Sequence, residues 1–270
     1  MKDIVKMTKA IGLLDRIRGS MAGAVIGDCL GSPVECQYWH GIPVQMVQKL
    51  FEDYRKPDQK VLHYTDDTAM ARQVADSIIA MQKVDSKDLA ERFVVEYFKE
   101  RGRGYGQSVV EVFKKLKKSE CQDPFKPASE QFNGSGSYGN GAAMRIHPIG
   151  LFSYKTSFSN ITENVEKCAK VTHTHLDGVN GAILQAACVS WALEGKSSTD
   201  IRIKAQELCT NFKNASNDDT DDEPETYFDQ MQQINDFLDD NELLINAIKG
   251  VDDDLVTMVN TLGKSIYYNS

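Results

Sequence analysis

The sequence predicts an all-α protein, and three observations predict it. Apolar residues recur about every 3.6 positions along most of the chain, strand-like alternation is hard to find, and there is no internal repeat of fixed period. The 270 residues, 41% hydrophobic and 26% charged, suit a globular chain with a sizeable core. We interpret residues 1–270 as a single domain. Only an acidic loop at about 214–226 resembles a boundary, and helices are predicted on both sides of it.

The apolar periodicity places the helices in chain order. One helix follows a polar start at Ser86, one carries Val109 to Leu116, and one follows Asn160, where Glu163 is spaced for a capping box. Glycine and serine clusters predict loops at 101–108 and 133–141. The remaining predicted helices are 15–30, 67–83, 178–194, 199–213, 225–248 and 252–263.

The charge, the hydropathy and the cysteine content limit the classes of function that the chain can have. The net charge of -8 argues against the broad basic surface that direct DNA binding needs. No run approaches the roughly 18 apolar residues of a membrane span, and the first residues lack a secretory apolar region. We expect a monomer in the cytoplasm, the nucleus or both, with the basic residues at 2–18 leaving mitochondria open. Six dispersed cysteines without a C-x-x-C pair predict reduced thiols.

The first chemically informative segment, 19–35, is rich in small residues and contains two acids. Asp28 interrupts the predicted helix, and Glu35 follows Pro33. Asp28 reads as a solvent-facing or capping group and Glu35 as a surface acid, unless a second acidic cluster lies nearby.

That second cluster is Thr65-Asp66-Asp67. Thr65 occupies an N-cap position, so the two acids fall in the first helical turn. They suit the helix dipole, and equally they offer, with the threonine hydroxyl, the oxygen ligands that Mg²⁺ prefers.

Two further segments carry polar chemistry. The glycine-rich stretch 133–145 is either a flexible turn or a loop whose N–H groups bind a diphosphate, and it fits neither the P-loop nor the dinucleotide-binding fingerprint. In Thr172-His173-Thr174-His175, the two histidines form either a metal pair or helix-end ligand contacts. We favour the second interpretation, because the chain has five histidines and no third ligand nearby.

Together and in this order, G-D-C-L-G-S-P-V-E, Y-T-D-D-T-A-M, G-S-Y-G-N-G-A-A-M-R and T-H-x6-N-G-A-I-L-Q resemble the ADP-ribosylglycohydrolase family. They are most similar to its branch that hydrolyses serine-linked ADP-ribose and poly(ADP-ribose), over about residues 15 to 194. The resemblance implies an orthogonally packed helix bundle with a two-Mg²⁺ cleft that binds ADP-ribose.

The resemblance also implies a role for each matching residue. Glu35 corresponds to a mobile acid/base or gating glutamate near the scissile bond, Asp28 to an acid beneath the metals, and His173 to a contact of the distal ribose. The implied metal ligands are Thr65, Asp66 and Asp67, and the implied diphosphate loop consists of Gly136, Ser137, Tyr138 and Gly139, continued by Asn140 and Gly141.

The implied activity is Mg²⁺-dependent removal of ADP-ribose from serine in proteins and from poly(ADP-ribose). An ADP-ribose binder with weak or no turnover, an ADP-ribosyl-arginine hydrolase and a purely structural relative are the alternatives. The family's late metal motif has no counterpart before Ser270, so we expect a C-terminally truncated domain with exposed apolar residues near Val256 to Ile266. We interpret Asp219–Asp222 as part of a solvated loop and Asp252–Asp254 as an acidic first turn.

Overall fold

The computed structural model describes residues 12–35, 62–215 and 227–240, with single positions at 46, 49 and 53. Within these ranges there is no strand, and the all-α prediction is confirmed. Short 3₁₀ turns span Ser32–Val34, Gln131–Gly134 and Asn140–Ala142. The helices are α1 (Leu13–Gly31), α2 (Asp66–Met81), α3 (Ser86–Lys99), α4 (Gln107–Lys118), α5 (Lys126–Ser129), α6 (His147–Phe152), α7 (Phe158–Ala169), α8 (Leu176–Leu193), α9 (Ser198–Ala215) and α10 (Tyr227–Asp240).

Most predicted helices start and end within about two residues of the observed bounds. Helix α10 is described as far as Asp240; the remainder of the helix predicted at 225–248, the helix predicted at 252–263 and the acids and apolar residues nearby lie outside the described residues. The short helices α5 and α6 were not predicted, because they are too short to show a periodicity. Each has a proline in its first turn, Pro127 and Pro148, where the missing N–H costs no hydrogen bond.

The capping box predicted at Asn160 is wrong. Helix α7 begins earlier, at Phe158, and Ser157 is its N-cap, with its hydroxyl accepting a hydrogen bond from the Asn160 backbone N–H at 3.2 Å. Glu163 instead accepts from the Lys167 ammonium at 2.6 Å, one helical turn later. Two polar residues three positions apart fitted the capping pattern, and an earlier serine supplied a better cap.

Helix α8 lies at the centre of the fold. Buried side chains occur all around it, as expected for a helix enclosed on every side, and it contacts α6, α7 and α9. Helices α3 and α4 are amphipathic and bury one face each. Their buried faces consist of Leu89, Ala90, Phe93, Val94 and Tyr97 on α3 and of Val112, Phe113 and Leu116 on α4.

Helix α1 contacts the rest of the described fold along its length without burying any of its own residues. It touches α2, α6 and α8. Its C-terminal end therefore brings Asp28 and the following Glu35 to the start of α2, where the second acidic segment lies.

The described residues include five free cysteines, Cys29, Cys121, Cys168, Cys188 and Cys209, in agreement with the prediction of reduced thiols. Cys36 lies outside the described residues. None of the described helices combines the length and the apolar character needed to cross a bilayer.

His147, at the start of α6, generates a stability prediction. It is 8% exposed, and burial lowers its pKa to about 4. The unfolded chain therefore binds a proton below about pH 6.5 that the folded chain excludes, so the free energy of unfolding falls as the pH drops from 6.5 to 4, by up to roughly 1.4 kcal/mol per pH unit. We expect His147→Gln to lose less stability than wild type over this range in urea titrations. The exposed His63→Gln should behave as wild type, and an equal acid slope in His147→Gln would contradict the prediction.

Candidate functional site

Asp28 on α1 caps the N-terminus of α2. Its carboxylate accepts hydrogen bonds from the Thr65 backbone N–H at 2.9 Å, from the Thr65 hydroxyl at 2.8 Å and from the Thr68 N–H at 3.1 Å. The first N–H groups of a helix have no partner within the helix, and here an acid from another helix supplies one. Asp28 is therefore a capping group, one of the two roles that its sequence context allowed, but on a different helix from its own.

Thr65 is the N-cap of α2, as predicted. Its side-chain oxygen accepts from the Asp67 N–H at 3.2 Å while its hydroxyl proton is donated to Asp28. A hydroxyl oxygen accepts two hydrogen bonds, so one lone pair remains available for a ligand.

Asp66 and Asp67 lie in the first turn of α2, close to two other acids. Burial, with Glu35 and Asp28 adding repulsion, raises the pKa of Asp66 to about 7, and the Asp66 backbone N–H opposes this shift. Burial and repulsion from Asp66, Asp28 and Glu35 raise the pKa of Asp67 well above its usual range. Carboxylates of Asp28, Glu35 and the start of α2 thus repel one another, and the charge of Arg145 offsets part of this repulsion at Asp66.

The donor set of this acidic site fits a hard cation in chemistry. Thr65, Asp66 and Asp67 supply one hydroxyl and two carboxylates, and Mg²⁺ prefers such oxygen ligands while keeping several waters. Within the described ranges, no group of three or more His, Cys, Asp or Glu residues is placed to hold a metal. The fit is therefore one of donor chemistry, and the described residues do not by themselves assemble a metal site.

Glu35 lies at the rim of this acidic site. It follows the turn Ser32–Val34, its N–H donates to the Ser32 carbonyl at 3.3 Å, and its side chain is exposed. Its charge acts on both aspartates. In the structure Glu35 and Asp28 therefore lie close enough to Asp66 and Asp67 to interact with them electrostatically.

The predicted anion loop, residues 136–141, lies against the start of α8. Gly136 has a φ of +79°, and a Cβ there would lie 2.7 Å from the His175 N–H, so only glycine fits. Ser137 is buried, and its hydroxyl oxygen accepts from the Gly139 N–H at 3.3 Å. The N–H groups of Ser137, Tyr138 and Asn140 donate to no acceptor in the described part of the chain.

The two histidines of the fourth segment have different surroundings. His175 is the N-cap of α8, with Nδ1 accepting from the Asp177 N–H at 3.2 Å, and its ring meets the exposed Tyr138 ring edge to face at 5.7 Å. His173 is 6% exposed beneath the loop, and burial, followed by the charge of Arg145, lowers its pKa to about 3. It is therefore neutral at physiological pH.

Sequence reasoning assigned no role to Arg145, the residue that connects the loop with His173. It is 1% exposed and donates to the Gly141 carbonyl at 3.0 Å and to the Thr172 hydroxyl at 2.7 Å. Its charge also reaches Asp66, where it opposes the rise in pKa. The available signal was an arginine inside the apolar run Ala142 to Ile146, where a charge must be buried and paired.

A second arginine outside the predicted site orders the segment before Thr65. Arg103 donates to the Tyr64 carbonyl at 2.8 Å, stacks 3.7 Å above the Tyr64 ring and pairs with Glu100. The Arg103 carbonyl accepts from the Asp66 N–H at 2.8 Å. The loop between α3 and α4 therefore holds the first turn of α2 in addition to the cap by Asp28.

The structure combines an all-α fold, an acidic helix start and a glycine-rich loop. Comparison with known proteins identifies the class of protein to which this combination belongs. The family model of ADP-ribosylglycohydrolase matches residues 9–263, and the chain belongs to this family.

Among curated relatives, the chain is 45% identical to "ADP-ribosylhydrolase ARH3" of Homo sapiens over 71% of this chain and 53% of that protein. It is 42% identical to the Gallus gallus protein of the same name over 76% of this chain and 57% of that one. The chain thus spans about half the length of the curated relatives it matches. A solved "ADP-ribosylglycohydrolase-related protein complex" shares the fold, with a TM-score of 0.59 at 18% identity over 95% of this chain and 85% of that one.

The crowding of acids generates a prediction for Asp66. Replacing it with asparagine removes one of the repelling charges, so in metal-free buffer at pH 8 we expect Asp66→Asn to have a higher Tm than wild type. The sign follows from its raised pKa, because the folded state then loses stability as the pH rises through about 7. Added Mg²⁺ should raise the Tm of wild type and leave that of the variant unchanged.

Asp76→Asn, on the same helix but paired with Arg72 at 3.8 Å, is the matched control and should respond to Mg²⁺ as wild type does. A Tm increase with Mg²⁺ in Asp66→Asn equal to that of wild type would contradict the assignment of Asp66 as a ligand.

The contact between Gly141 and His173 generates a prediction for the loop. A Cβ at Gly141 would lie 2.6 Å from His173 Cε1, and the buried ring has little room to retreat. We expect Gly141→Ala to lower the stability by about 1–3 kcal/mol and to weaken ADP-ribose binding, as measured by denaturation and calorimetry. Gly19→Ala in α1, where a Cβ meets nothing within 4 Å, should change neither quantity adversely. Unchanged binding in Gly141→Ala would show that the loop and His173 are not coupled.

Proposed function

We propose that the chain is a Mg²⁺-dependent hydrolase that removes ADP-ribose from serine side chains and from poly(ADP-ribose) by cleavage at the anomeric ribose carbon. The observation that carries this proposal is that one side chain, Arg145, interacts both with the loop 136–141 and with the acidic site. We call these two parts the half-sites. Arg145 donates hydrogen bonds to the Gly141 carbonyl of the loop and to the Thr172 hydroxyl, which contacts His173, and its charge reaches Asp66 in the acidic site.

The binding half of the reaction rests on the loop. ADP-ribose carries two phosphates, and the unpaired N–H groups of Ser137, Tyr138 and Asn140 are donors suited to their oxygens. His173 lies beneath this loop and would contact the distal ribose. Backbone donors fixed in this way bind an anion without a basic surface, which is consistent with the net charge of -8.

The acidic half would act on the proximal ribose. Thr65, Asp66 and Asp67 would hold the cation, which would orient the ribose hydroxyls and offset charge near the scissile bond. Glu35, exposed at the rim of the acidic site, would move a proton to or from the serine oxygen that leaves. Glycoside cleavage builds positive charge on the ribose ring, and the neighbouring carboxylates would stabilise it.

A second candidate is an ADP-ribose-binding protein with little turnover. It is supported by the loop and by His173, which is buried and neutral, because these groups can bind a ligand without moving a proton. An ADP-ribosyl-arginine hydrolase would use the same loop and cation with a guanidino leaving group, so a comparison of leaving groups separates it from the serine hydrolase.

The test is ADP-ribose release from a serine-ADP-ribosylated peptide by the 270-residue chain, with and without Mg²⁺. We expect release with Mg²⁺, loss of release in Asp66→Asn, and a kcat reduced about a hundredfold or more in Glu35→Gln with ADP-ribose affinity retained. Asp76→Asn should release ADP-ribose at the wild-type rate.

Three outcomes would redirect the proposal. Binding of ADP-ribose without release by wild type would select the binding protein. Faster release from an arginine-ADP-ribosylated peptide would select the arginine hydrolase. A folded chain that neither binds nor releases ADP-ribose would contradict all three functions.

A further inference from the structure

The side chain of Arg145 has donors only, so it fixes the role of each group it contacts. A guanidinium carries five N–H donors and no acceptor. One terminal nitrogen donates to the Gly141 carbonyl at 3.0 Å, and the other donates to the Cys168 carbonyl at 3.0 Å and to the Thr172 hydroxyl oxygen at 2.7 Å. The guanidinium lies 4.6 Å from the centre of the Phe93 ring, which covers it.

The Thr172 hydroxyl therefore accepts from Arg145 and keeps its own proton for another partner. Thr172 is fully buried, and its Oγ1 lies 2.7 Å from Nδ1 of His173. If Nδ1 carried the proton and donated it to Oγ1, the hydroxyl proton would have no acceptor among the described residues. A fully buried donor without a partner is costly, so we favour the arrangement in which Thr172 donates to Nδ1 and the N–H without a protein partner is on Nε2 of His173, which is 6% exposed where Thr172 is 0% exposed.

The neutral ring of His173 then carries its proton on the other nitrogen. A neutral imidazole has one N–H, and when Nδ1 accepts, Nε2 is the donor. Burial and the nearby guanidinium disfavour the doubly protonated ring, which would place a second cation beside Arg145.

Nε2 is directed toward the anion loop. It lies 3.0 Å from where a Cβ on Gly141 would be and 3.6 Å from where one on Gly139 would be, and no described residue accepts its proton. His173 is a nearly fully buried side chain whose free donor meets the same loop that presents the unpaired N–H groups of Ser137, Tyr138 and Asn140.

We propose that Arg145 and Thr172 are positioning residues that hold His173 with its proton on Nε2, so that this N–H is a fixed donor to an oxygen of ADP-ribose bound at the anion loop. This inference rests on the proposed function for the identity of the ligand. The assignment of the tautomer does not, because every group that determines it belongs to the ligand-free chain.

The same arginine also contributes to the distance between the loop and His173. One terminal nitrogen donates to the Gly141 carbonyl and the other to Thr172. Because the guanidinium is rigid and planar, these two hydrogen bonds hold the loop and the residue before His173 at a fixed separation. The distance from Nε2 to the loop is therefore determined by two hydrogen bonds from Arg145 and not by the loop sequence alone.

The experiment measures the tautomer of His173 directly. Long-range ¹H–¹⁵N correlation spectra of the ¹⁵N-labelled 270-residue chain report which ring nitrogen is protonated, and His173→Asn assigns the signals among the five histidines. We expect Nε2–H in wild type and in Thr172→Ser, which keeps the hydroxyl. In Thr172→Val, which keeps the shape, we expect a mixture of tautomers and ADP-ribose affinity lower by about tenfold, the effect of one lost hydrogen bond.

Thr162→Val is the matched control, because the Thr162 hydroxyl donates to the Phe158 carbonyl within α7 and the side chain lies outside the Arg145 network. It should keep the wild-type tautomer and affinity. If Thr172→Val fails to fold by circular dichroism, wild type and Thr172→Ser still decide the question.

Nδ1–H in wild type would overturn the inference, and so would a Thr172→Val variant with wild-type tautomer and affinity. A wild-type chain that carries Nε2–H but binds no ADP-ribose would remove the proposed function and with it the role of this donor in binding, while the tautomer assignment would stand. The two failures are therefore distinguishable.

Discussion

The arrangement of this fold around its candidate site depends on one buried cation, the guanidinium of Arg145. An arginine is almost never enclosed in an apolar core unless its donors are satisfied, because an unpaired buried charge costs several kcal/mol. Here the acceptors come from the loop at Gly141, the end of α7 at Cys168 and the following Thr172, with Phe93 of α3 covering the plane. The hydrogen bonds of its two terminal nitrogens and the contact with Phe93 therefore fix four parts of the chain relative to each other, while the buried Nε donor has no partner among the described residues.

The acidic site differs from the surroundings of Arg145, because several of its charges repel one another. Asp28 satisfies the first N–H groups of α2, which is stabilising, whereas Asp66 and Asp67 are held near each other and near Glu35, which is not. Groups that repel one another persist when the surrounding structure holds them in place, and such groups cluster at functional sites. The cap by Asp28 and the contact from the Arg103 carbonyl are the interactions that hold this turn.

The two half-sites illustrate different routes to a binding surface. The loop presents backbone N–H groups and lies above a neutral histidine, and it contains no charged side chain. The acidic site uses side-chain oxygens, which suit a cation. Arg145 interacts with both: its charge opposes the rise in the pKa of Asp66, and its guanidinium donates a hydrogen bond to the Gly141 carbonyl of the loop. The proposed substrate, with a diphosphate at one end and a ribose to be cleaved at the other, would match this polarity.

The sequence by itself determined the helical class, most helix bounds, the N-cap at Thr65 and the segments that form the site. These follow from local rules: apolar spacing, capping chemistry and the tolerance of glycine for positive φ are properties of a few neighbouring residues. The same local rules failed at Asn160, where an earlier serine caps α7.

Only the tertiary structure decided what distant residues do to each other. That Asp28 caps a helix 37 residues later, that Arg145 reaches Cys168 and Thr172, and that His173 is neutral beneath the loop are consequences of packing between helices. No spacing in the chain encodes them, because hydrogen bonds and burial depend on distances between segments that come together only when the bundle forms.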